Sequence, residues 1–257
     1  MPYTGDLYYF MHRDENAGEK PPLVLIHGAG GDHLYWPPEI RRLAGQRVFA
    51  IDLPGHGKSP GSGEKSIQAY ASRVREWLLK LGQPRAFFAG HSMGAAIALS
   101  MALDYPDCAY GLALVGSGAS LRVNPVMLEM LADPGKFPQA VEVIIHWSFS
   151  RQAPPGLIKL AARRMAASSP EVLYHDLLAC QDFDVSDRLA EINIPTLVIC
   201  GTVDKMTPLR LSNHLTSRIP EAQLEAIPDA GHMVMLEQPQ AVAAAMAKFL
   251  YFIDLLF

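Results

Sequence analysis

The segment Ala86–Ser100, which reads AFFAGHSMGAAIALS, decides the fold of this 257-residue chain. It begins with a short apolar run typical of a buried strand and ends in a run of strong helix formers. Between the two lies Gly90–Gly94, a Gly-x-Ser-x-Gly pattern. A strand followed by this pattern and then by a helix predicts a sharp turn. The turn holds Ser92 strained and exposed, with the small residues Gly90 and Gly94 two positions to either side. Ser92 is therefore the candidate nucleophile.

A serine hydroxyl becomes a nucleophile only when a base takes its proton and an acid orients that base. Behind a turn of this kind the acid and then the base follow the serine along the chain. Thr196–Cys200 predicts a late buried strand, and Asp204 lies in the turn beyond it. Gln223–Ile227 predicts one further edge strand, and His232 lies in the loop after it. Ser92, Asp204 and His232 form the candidate catalytic triad.

A glycine-rich turn after an earlier strand supplies candidate donors for an oxyanion hole. Leu23–Ile26 is another buried-strand run, and His27–Gly31 follows it as HGAGG. Glycines let the backbone approach a substrate carbonyl closely. We expect the backbone N–H groups of Ala29 and Met93 to hold the oxyanion, with Gly30 as the alternative donor in the loop.

These motifs together resemble those of the α/β-hydrolase superfamily, from about Leu23 to the end of the chain. Asp52–Ser59, which reads DLPGHGKS, is similar to the Asp-x-Pro-Gly-x-Gly-x-Ser turn that follows the second core strand in this family. The resemblance implies the α/β-hydrolase fold, with a mostly parallel sheet and helices on both faces. It also implies a Ser-His-Asp hydrolase whose active site lies beyond the carboxyl ends of the strands. It does not identify the substrate.

Strand-like and helix-like segments alternate along the chain, which predicts a mostly parallel sheet with helices on both faces. Residues 119–192 interrupt this alternation with helical patches and no convincing core strand. The resembled family usually keeps a lid at this position. We therefore expect an α/β-hydrolase core of residues 1–118 and 193–257 and a helical lid of residues 119–192. Some apolar residues of the lid, including methionines, are expected to line an acyl pocket.

The expected activity is that of a serine hydrolase, specifically a carboxylesterase for small to medium hydrophobic acyl groups that works through an acyl-enzyme. A carbon–carbon bond hydrolase, a lactonase, a thioesterase and a perhydrolase remain open on the same scaffold. Carbon–carbon hydrolases tend to carry a tryptophan after the catalytic histidine, whereas Met233 follows His232 here. The alternative that is not primarily an enzyme is a receptor or binding protein with low turnover. Saturable ligand binding without steady-state turnover would distinguish it.

The sequence favours an enzyme without a cofactor or metal. The turn after Leu23–Ile26 lacks the last glycine of a dinucleotide-binding loop, because His33 stands there. Gly57–Ser59 resembles the end of a phosphate-binding loop, but Asp52 occupies the position of its first glycine. The chain has neither paired cysteines nor a His-Glu-x-x-His zinc motif.

Composition limits the partners further. A net charge of −4 and a pI of about 6.1 give no electrostatic basis for binding nucleic acid, so we expect a small-molecule ester as the partner. Three dispersed cysteines and no visible signal peptide predict a cytoplasmic protein, although a leader removed by processing would leave no trace. The apolar run Phe249–Phe257 is too short for a membrane span. We expect it to end the last helix, with a homo-oligomer contact as the alternative.

Overall fold

The computed structural model describes residues 3–254, which form one sheet of eight strands surrounded by helices. The strands are β1 (Tyr3–Thr4), β2 (Leu7–Arg13), β3 (Leu23–Ile26), β4 (Arg47–Ile51), β5 (Ala86–His91), β6 (Ala109–Val115), β7 (Thr196–Gly201) and β8 (Ala222–Ile227). The α-helices are α1 (Pro38–Arg41), α2 (Ile67–Lys80), α3 (Met93–Asp104), α4 (Pro125–Ala132), α5 (Phe137–Ser148), α6 (Pro155–Ala166), α7 (Pro170–Gln181), α8 (Leu209–Arg218), α9 (Val234–Glu237) and α10 (Pro239–Asp254). Short 3₁₀ turns cover His33–Tyr35, Pro106–Cys108, Pro134–Lys136 and Ser186–Glu191.

The sheet is mostly parallel, as the sequence predicts. Its strands lie in the order β1-β2-β4-β3-β5-β6-β7-β8. The pairs β1–β2 and β2–β4 are antiparallel, and every other neighbouring pair is parallel. β3, β5 and β7 are buried along their whole length, because helices cover both faces of the sheet at its centre.

Alternate side chains of the central strands enter two separate cores. Val24 and Ile26 pack in the core that contains Trp77 of α2, on one face of the sheet. Leu23 and Leu25 pack in the second core, on the opposite face. This division follows from the two-residue period of a strand, which directs successive side chains to opposite faces. The parallel strands therefore place their carboxyl ends at one edge of a rigid, covered sheet.

The last helix, α10, lies on the second core, as expected for the apolar C-terminal run. Phe249, Leu250 and Ile253 are buried there, whereas Tyr251 and Phe252 are exposed. Residues 255–257 of that run lie outside the described residues, and the expected oligomer contact stays a prediction. Across residues 3–254, no helix combines the length and apolar character that crossing a membrane requires.

Residues 119–192 fold mainly as helices α4 to α7. Within the described part of this segment, the β-pairing is limited to one isolated bridge between Ser120 and Asp184. We refer to residues 119–192 as the helical insertion. Several of its side chains face the carboxyl edge of the sheet, where they line the cavity described below.

Candidate active site

Ser92 lies at a strained turn between β5 and α3. Its backbone has φ 53° and ψ −114°, a region that residues other than glycine rarely occupy. Its N–H donates a 2.9 Å hydrogen bond to the carbonyl of Val115, the last residue of β6. The surrounding fold therefore stabilises an unfavourable backbone conformation, which is a feature typical of functional residues.

Two glycines permit this turn. A Cβ atom on Gly90 would collide with the carbonyl of Gly94, and a Cβ atom on Gly94 would collide with the carbonyl of Ile26. The backbones of β3, β5 and α3 therefore approach each other more closely than any side chain would allow. This close approach holds Ser92 at the carboxyl end of β5.

Asp204 and His232 form a buried pair beyond the ends of β7 and β8. His232 Nδ1 donates a 2.9 Å hydrogen bond to Asp204 Oδ2, which also accepts a 2.7 Å bond from the Thr207 hydroxyl. The backbone N–H groups of Met206 and Thr207 each donate to Asp204 Oδ1 at 2.8 Å. Burial raises the pKa of the Asp204 carboxyl, but His232 and the Thr207 hydrogen bonds lower it by more, so its pKa lies below the ordinary value. Asp204 is thus an ionised acceptor that orients the imidazole.

The backbone of His232 is held by a second histidine. His91 Nε2 donates a 3.0 Å hydrogen bond to the carbonyl of His232, and the two rings lie 4.7 Å apart. Burial and the neighbouring His232 lower the pKa of His91 to about 3. His91 is therefore neutral at physiological pH and acts as a fixed hydrogen-bond donor.

Ser92 and His232 line the same cavity, whose volume is about 470 Å³. Ala29 lines this cavity as well. Among the described residues, the Ser92 side chain and the His232 ring make no direct hydrogen bond. Such bonds are often long in an empty site and tighten when substrate binds.

The loop after β3 contains two backbone N–H groups that are candidates for binding an oxyanion, those of Ala29 and Gly30. The Gly30 N–H donates a 2.8 Å hydrogen bond to Asp176 Oδ2 of α7. Gly30 is therefore occupied, which leaves Ala29 as the loop donor next to the cavity. Met93 is the first residue of α3, and the N–H groups of a first helical turn have no partner within the helix. The assignment of Ala29 and Met93 as oxyanion donors stays a prediction.

Asp176 is a buried carboxylate that sequence analysis missed. It also accepts hydrogen bonds from the Tyr70 hydroxyl at 2.6 Å and from His56 Nε2 at 2.8 Å. Burial lowers the pKa of His56, but the Asp176 carboxylate raises it by more, so the net pKa lies above the ordinary value. The available signal in the sequence was an acid placed directly before Leu177 and Leu178, the second of two acids in the predicted helix Pro170–Leu178.

The turn Asp52–Ser59 supports this network without reaching the cavity. The buried Asp52 carboxylate accepts bonds from the backbone N–H groups of His33 at 2.7 Å and Lys58 at 2.9 Å. These bonds fix the turn that presents His56 to Asp176. The family-like motif at Asp52–Ser59 therefore has a structural role in this fold.

The remainder of the cavity wall is mainly apolar. Its side chains come from the helical insertion and from the core. The apolar wall residues are Tyr35, Leu121, Val123, Met127, Val143, Ile144, Trp147, Met165, Leu173, Leu177, Met206, Leu211 and Met233. Such a wall is suited to a hydrophobic group of moderate size.

Comparison with known proteins identifies the family. The sequence model of the alpha/beta hydrolase fold matches residues 21–239. The chain belongs to the α/β-hydrolase family. The resemblance inferred from the motifs is thereby confirmed, together with the fold it implies.

Relatives of this α/β hydrolase carry several names. A protein of Pseudomonas savastanoi pv. phaseolicola, provisionally assigned as carbamate hydrolase RutD, is 28% identical over 95% of this chain and 98% of its own. A 2-hydroxy-6-oxo-6-phenylhexa-2,4-dienoate hydrolase of Burkholderia cepacia is 30% identical over 91% of this chain and 89% of its own. A thermophilic esterase from Thermogutta terrifontis, solved with malate bound, has a TM-score of 0.87 at 26% identity, covering 96% of this chain and 93% of its own.

Proposed function

We propose that this α/β hydrolase is a serine hydrolase that cleaves carboxylic esters of small to medium hydrophobic acyl groups. The observation that carries the proposal is the buried Asp204–His232 pair, joined at 2.9 Å, on the same cavity as the strained Ser92. These are the three roles that nucleophilic acyl transfer needs, in the chain order expected behind a turn of this kind.

The first half of the reaction forms an acyl-enzyme. His232 Nε2 takes the proton of the Ser92 hydroxyl as Oγ attacks the ester carbonyl carbon. Asp204 stabilises the resulting imidazolium and keeps Nδ1 protonated. The N–H groups of Ala29 and Met93 hold the tetrahedral oxyanion, a contribution of about 3 kcal/mol for each donor. His232 then gives its proton to the departing alcohol.

The second half releases the acid. His232 takes a proton from water, whose oxygen attacks the acyl carbonyl, and the same two N–H groups hold the second oxyanion. Collapse of this intermediate returns the proton to Ser92 Oγ and frees the carboxylic acid. The cavity of about 470 Å³ and its apolar wall support a hydrophobic acyl group of small to medium size.

Carbon–carbon bond hydrolysis is the second candidate. It is favoured by the 30% identity to the Burkholderia cepacia dienoate hydrolase over most of both chains. Esterase activity ranks first because similar solved structures include esterases, among them one at 32% identity with a TM-score of 0.81. The helical insertion at residues 119–192 serves as the lid in either case.

Covalent trapping tests the assignment of the nucleophile. A fluorophosphonate reacts with an activated serine, and we expect peptide mapping by mass spectrometry to place its adduct on Ser92. The variant His232→Ala should lose this labelling while keeping its fold, because the base that activates the serine is gone. An adduct on another residue, or undiminished labelling of His232→Ala, would refute the proposed triad.

A further inference from the structure

Three cations lie at the mouth of the cavity. Arg122, Lys205 and Arg210 all line it, and all three residues are exposed to solvent. We call them the cationic rim. Within the described chain, neither aspartate nor glutamate lines this cavity. A mouth of one sign is notable on a chain whose net charge is −4.

The residues of the cationic rim come from two neighbouring connections of the sheet. Arg122 follows β6, whereas Lys205 and Arg210 follow β7, and these two strands are neighbours in the sheet. The two connections also touch, because a Cβ atom on Gly118 would lie only 3.2 Å from the Leu211 side chain. The fold therefore brings the segments that carry the three charges together, although Lys205 lies 83 positions after Arg122 in the sequence.

The charges of the rim are largely available to a ligand. Among the described residues, Lys205 and Arg210 make no ion pair. The carboxylate of Asp204, which precedes Lys205, is occupied by His232 and Thr207. Arg122 interacts electrostatically with Asp184, but only weakly. The pKa of Asp184 is lowered mainly by hydrogen bonds from Ser186 and to a smaller extent by the charge of Arg122.

Apolar side chains line the same cavity beside the cationic rim. Val143 and Trp147 of α5 line it, and Trp147 remains 50% exposed. Leu173 and Leu177 of α7 also belong to its wall. A ligand that fits both the rim and the apolar wall has a hydrophobic body and a single charged end.

We propose that the preferred substrates are esters whose acyl chain ends in a carboxylate, with the anionic end at the cationic rim and the hydrocarbon chain in the cavity. This inference rests on the proposed ester hydrolysis by Ser92. A cavity mouth lined with one sign of charge attracts oppositely charged ligands and raises their rate of association. Each exposed pair contributes modestly, so the three cations together should favour an anionic substrate by roughly tenfold at low salt.

The test compares two matched series of p-nitrophenyl esters. The monoesters of adipic, suberic and sebacic acid carry a terminal carboxylate, and the hexanoate, octanoate and decanoate esters carry a methyl group in its place. The quantity measured is the ratio of kcat/KM for the anionic ester to that for its neutral partner. In the double variant Lys205→Glu/Arg210→Glu this ratio should fall by roughly tenfold or more at low salt. High salt should shrink the difference, because exposed charges are screened.

A second double variant controls for total charge. Lys159 and Arg163 of α6 are exposed and do not line the cavity, so Lys159→Glu/Arg163→Glu makes the same charge change elsewhere. Its ratio should match that of the wild type. A ratio that is unchanged by the rim variant, or changed equally by the control, would overturn this inference alone. Failure of the wild type to hydrolyse either series would overturn the proposed function as well.

Discussion

The Asp176 carboxylate of α7 accepts a 2.8 Å hydrogen bond from the Gly30 backbone, and so joins the helical insertion to the loop that presents Ala29. The same carboxylate accepts hydrogen bonds from Tyr70 and His56, which belong to the core. One buried charge therefore fixes the insertion, the loop of Ala29 and the turn that contains His56 relative to each other. A change at Asp176 is expected to act on catalysis through the position of Ala29.

The variant Asp176→Asn tests this connection. It removes the charge that accepts three hydrogen bonds, so we expect a loss of about 3 kcal/mol in the free energy of unfolding. At temperatures where the variant is folded, kcat should fall by roughly tenfold with little change in KM, because a displaced oxyanion donor affects the transition state. Denaturant unfolding and ester kinetics measure the two effects.

Tyr70→Phe is the matched control for this variant. It removes one hydrogen bond from Asp176 and leaves the bond to Gly30. It should therefore lower the free energy of unfolding by about 1 kcal/mol and leave kcat nearly unchanged. If Asp176→Asn kept wild-type kcat, Asp176 would have no positioning role.

Locally encoded features could be predicted from the sequence, whereas Asp176 could not. The turn around Ser92 and the central strands depend on neighbouring residues, so patterns of small and apolar residues reveal them. Asp176 instead bonds to partners that lie 106 to 146 residues away in the sequence. Local patterns in a single sequence do not reveal which distant segments meet. The cationic rim was missed for the same reason.

The observed boundaries of a strand differ from its hydrophobic pattern where backbone hydrogen bonds to a neighbouring strand extend it. In β2 the residues Leu7–Phe10 have the apolar and aromatic character typical of a strand, but the strand continues to Arg13. Its polar end pairs with β4 through His12 and Arg13, so hydrogen bonds between the backbones extend the strand beyond its apolar residues. The placement of Asp204 and His232 relative to Ser92 was inferred from motif order, and that order depends on the family.

His91 is expected to make the fold sensitive to acid. Its pKa is lowered to about 3 in the folded chain by burial and by His232, whereas an unfolded histidine has a pKa near 6.5. The unfolded chain therefore binds an extra proton as the pH falls below about 6.5, and stability declines by about 1.4 kcal/mol per pH unit from this residue.

The variant His91→Gln isolates this effect, because glutamine can still donate to the His232 carbonyl but does not titrate. Between pH 6 and pH 4, its free energy of unfolding should fall less steeply than that of the wild type by about 1.4 kcal/mol per pH unit. Unfolding curves at several pH values measure the slope. Equal slopes would mean that His91 does not carry this acid sensitivity.

Gly94→Ala should prevent the turn around Ser92 from forming. The added Cβ would collide with the Ile26 carbonyl, which belongs to a rigid central strand, so we expect destabilisation by several kcal/mol or failure to fold. Gly156→Ala in α6 is the matched control, since open space surrounds that position. It should be neutral or stabilise the helix by roughly 1 kcal/mol. Thermal melting compares the two variants, and equal stability would contradict the close approach of Gly94 to the Ile26 carbonyl.

Asp204→Asn should impair catalysis without unfolding the protein. An amide in place of the carboxylate no longer stabilises the imidazolium or keeps Nδ1 of His232 protonated, so kcat should fall by about 10⁴-fold. The control is Asp229→Asn, the same chemical change at an exposed residue with φ 58°, a conformation that asparagine tolerates. Ester turnover measures both variants. Comparable kcat values in the two would remove Asp204 from the triad.

The most direct test of the central claim is steady-state hydrolysis of p-nitrophenyl esters, from acetate to palmitate, by the wild type and by Ser92→Ala. The account predicts turnover by the wild type that peaks at a small or medium acyl length, in keeping with the cavity of about 470 Å³. It predicts a folded Ser92→Ala variant whose turnover falls to background. Undiminished turnover by Ser92→Ala, or none by the folded wild type, would contradict it.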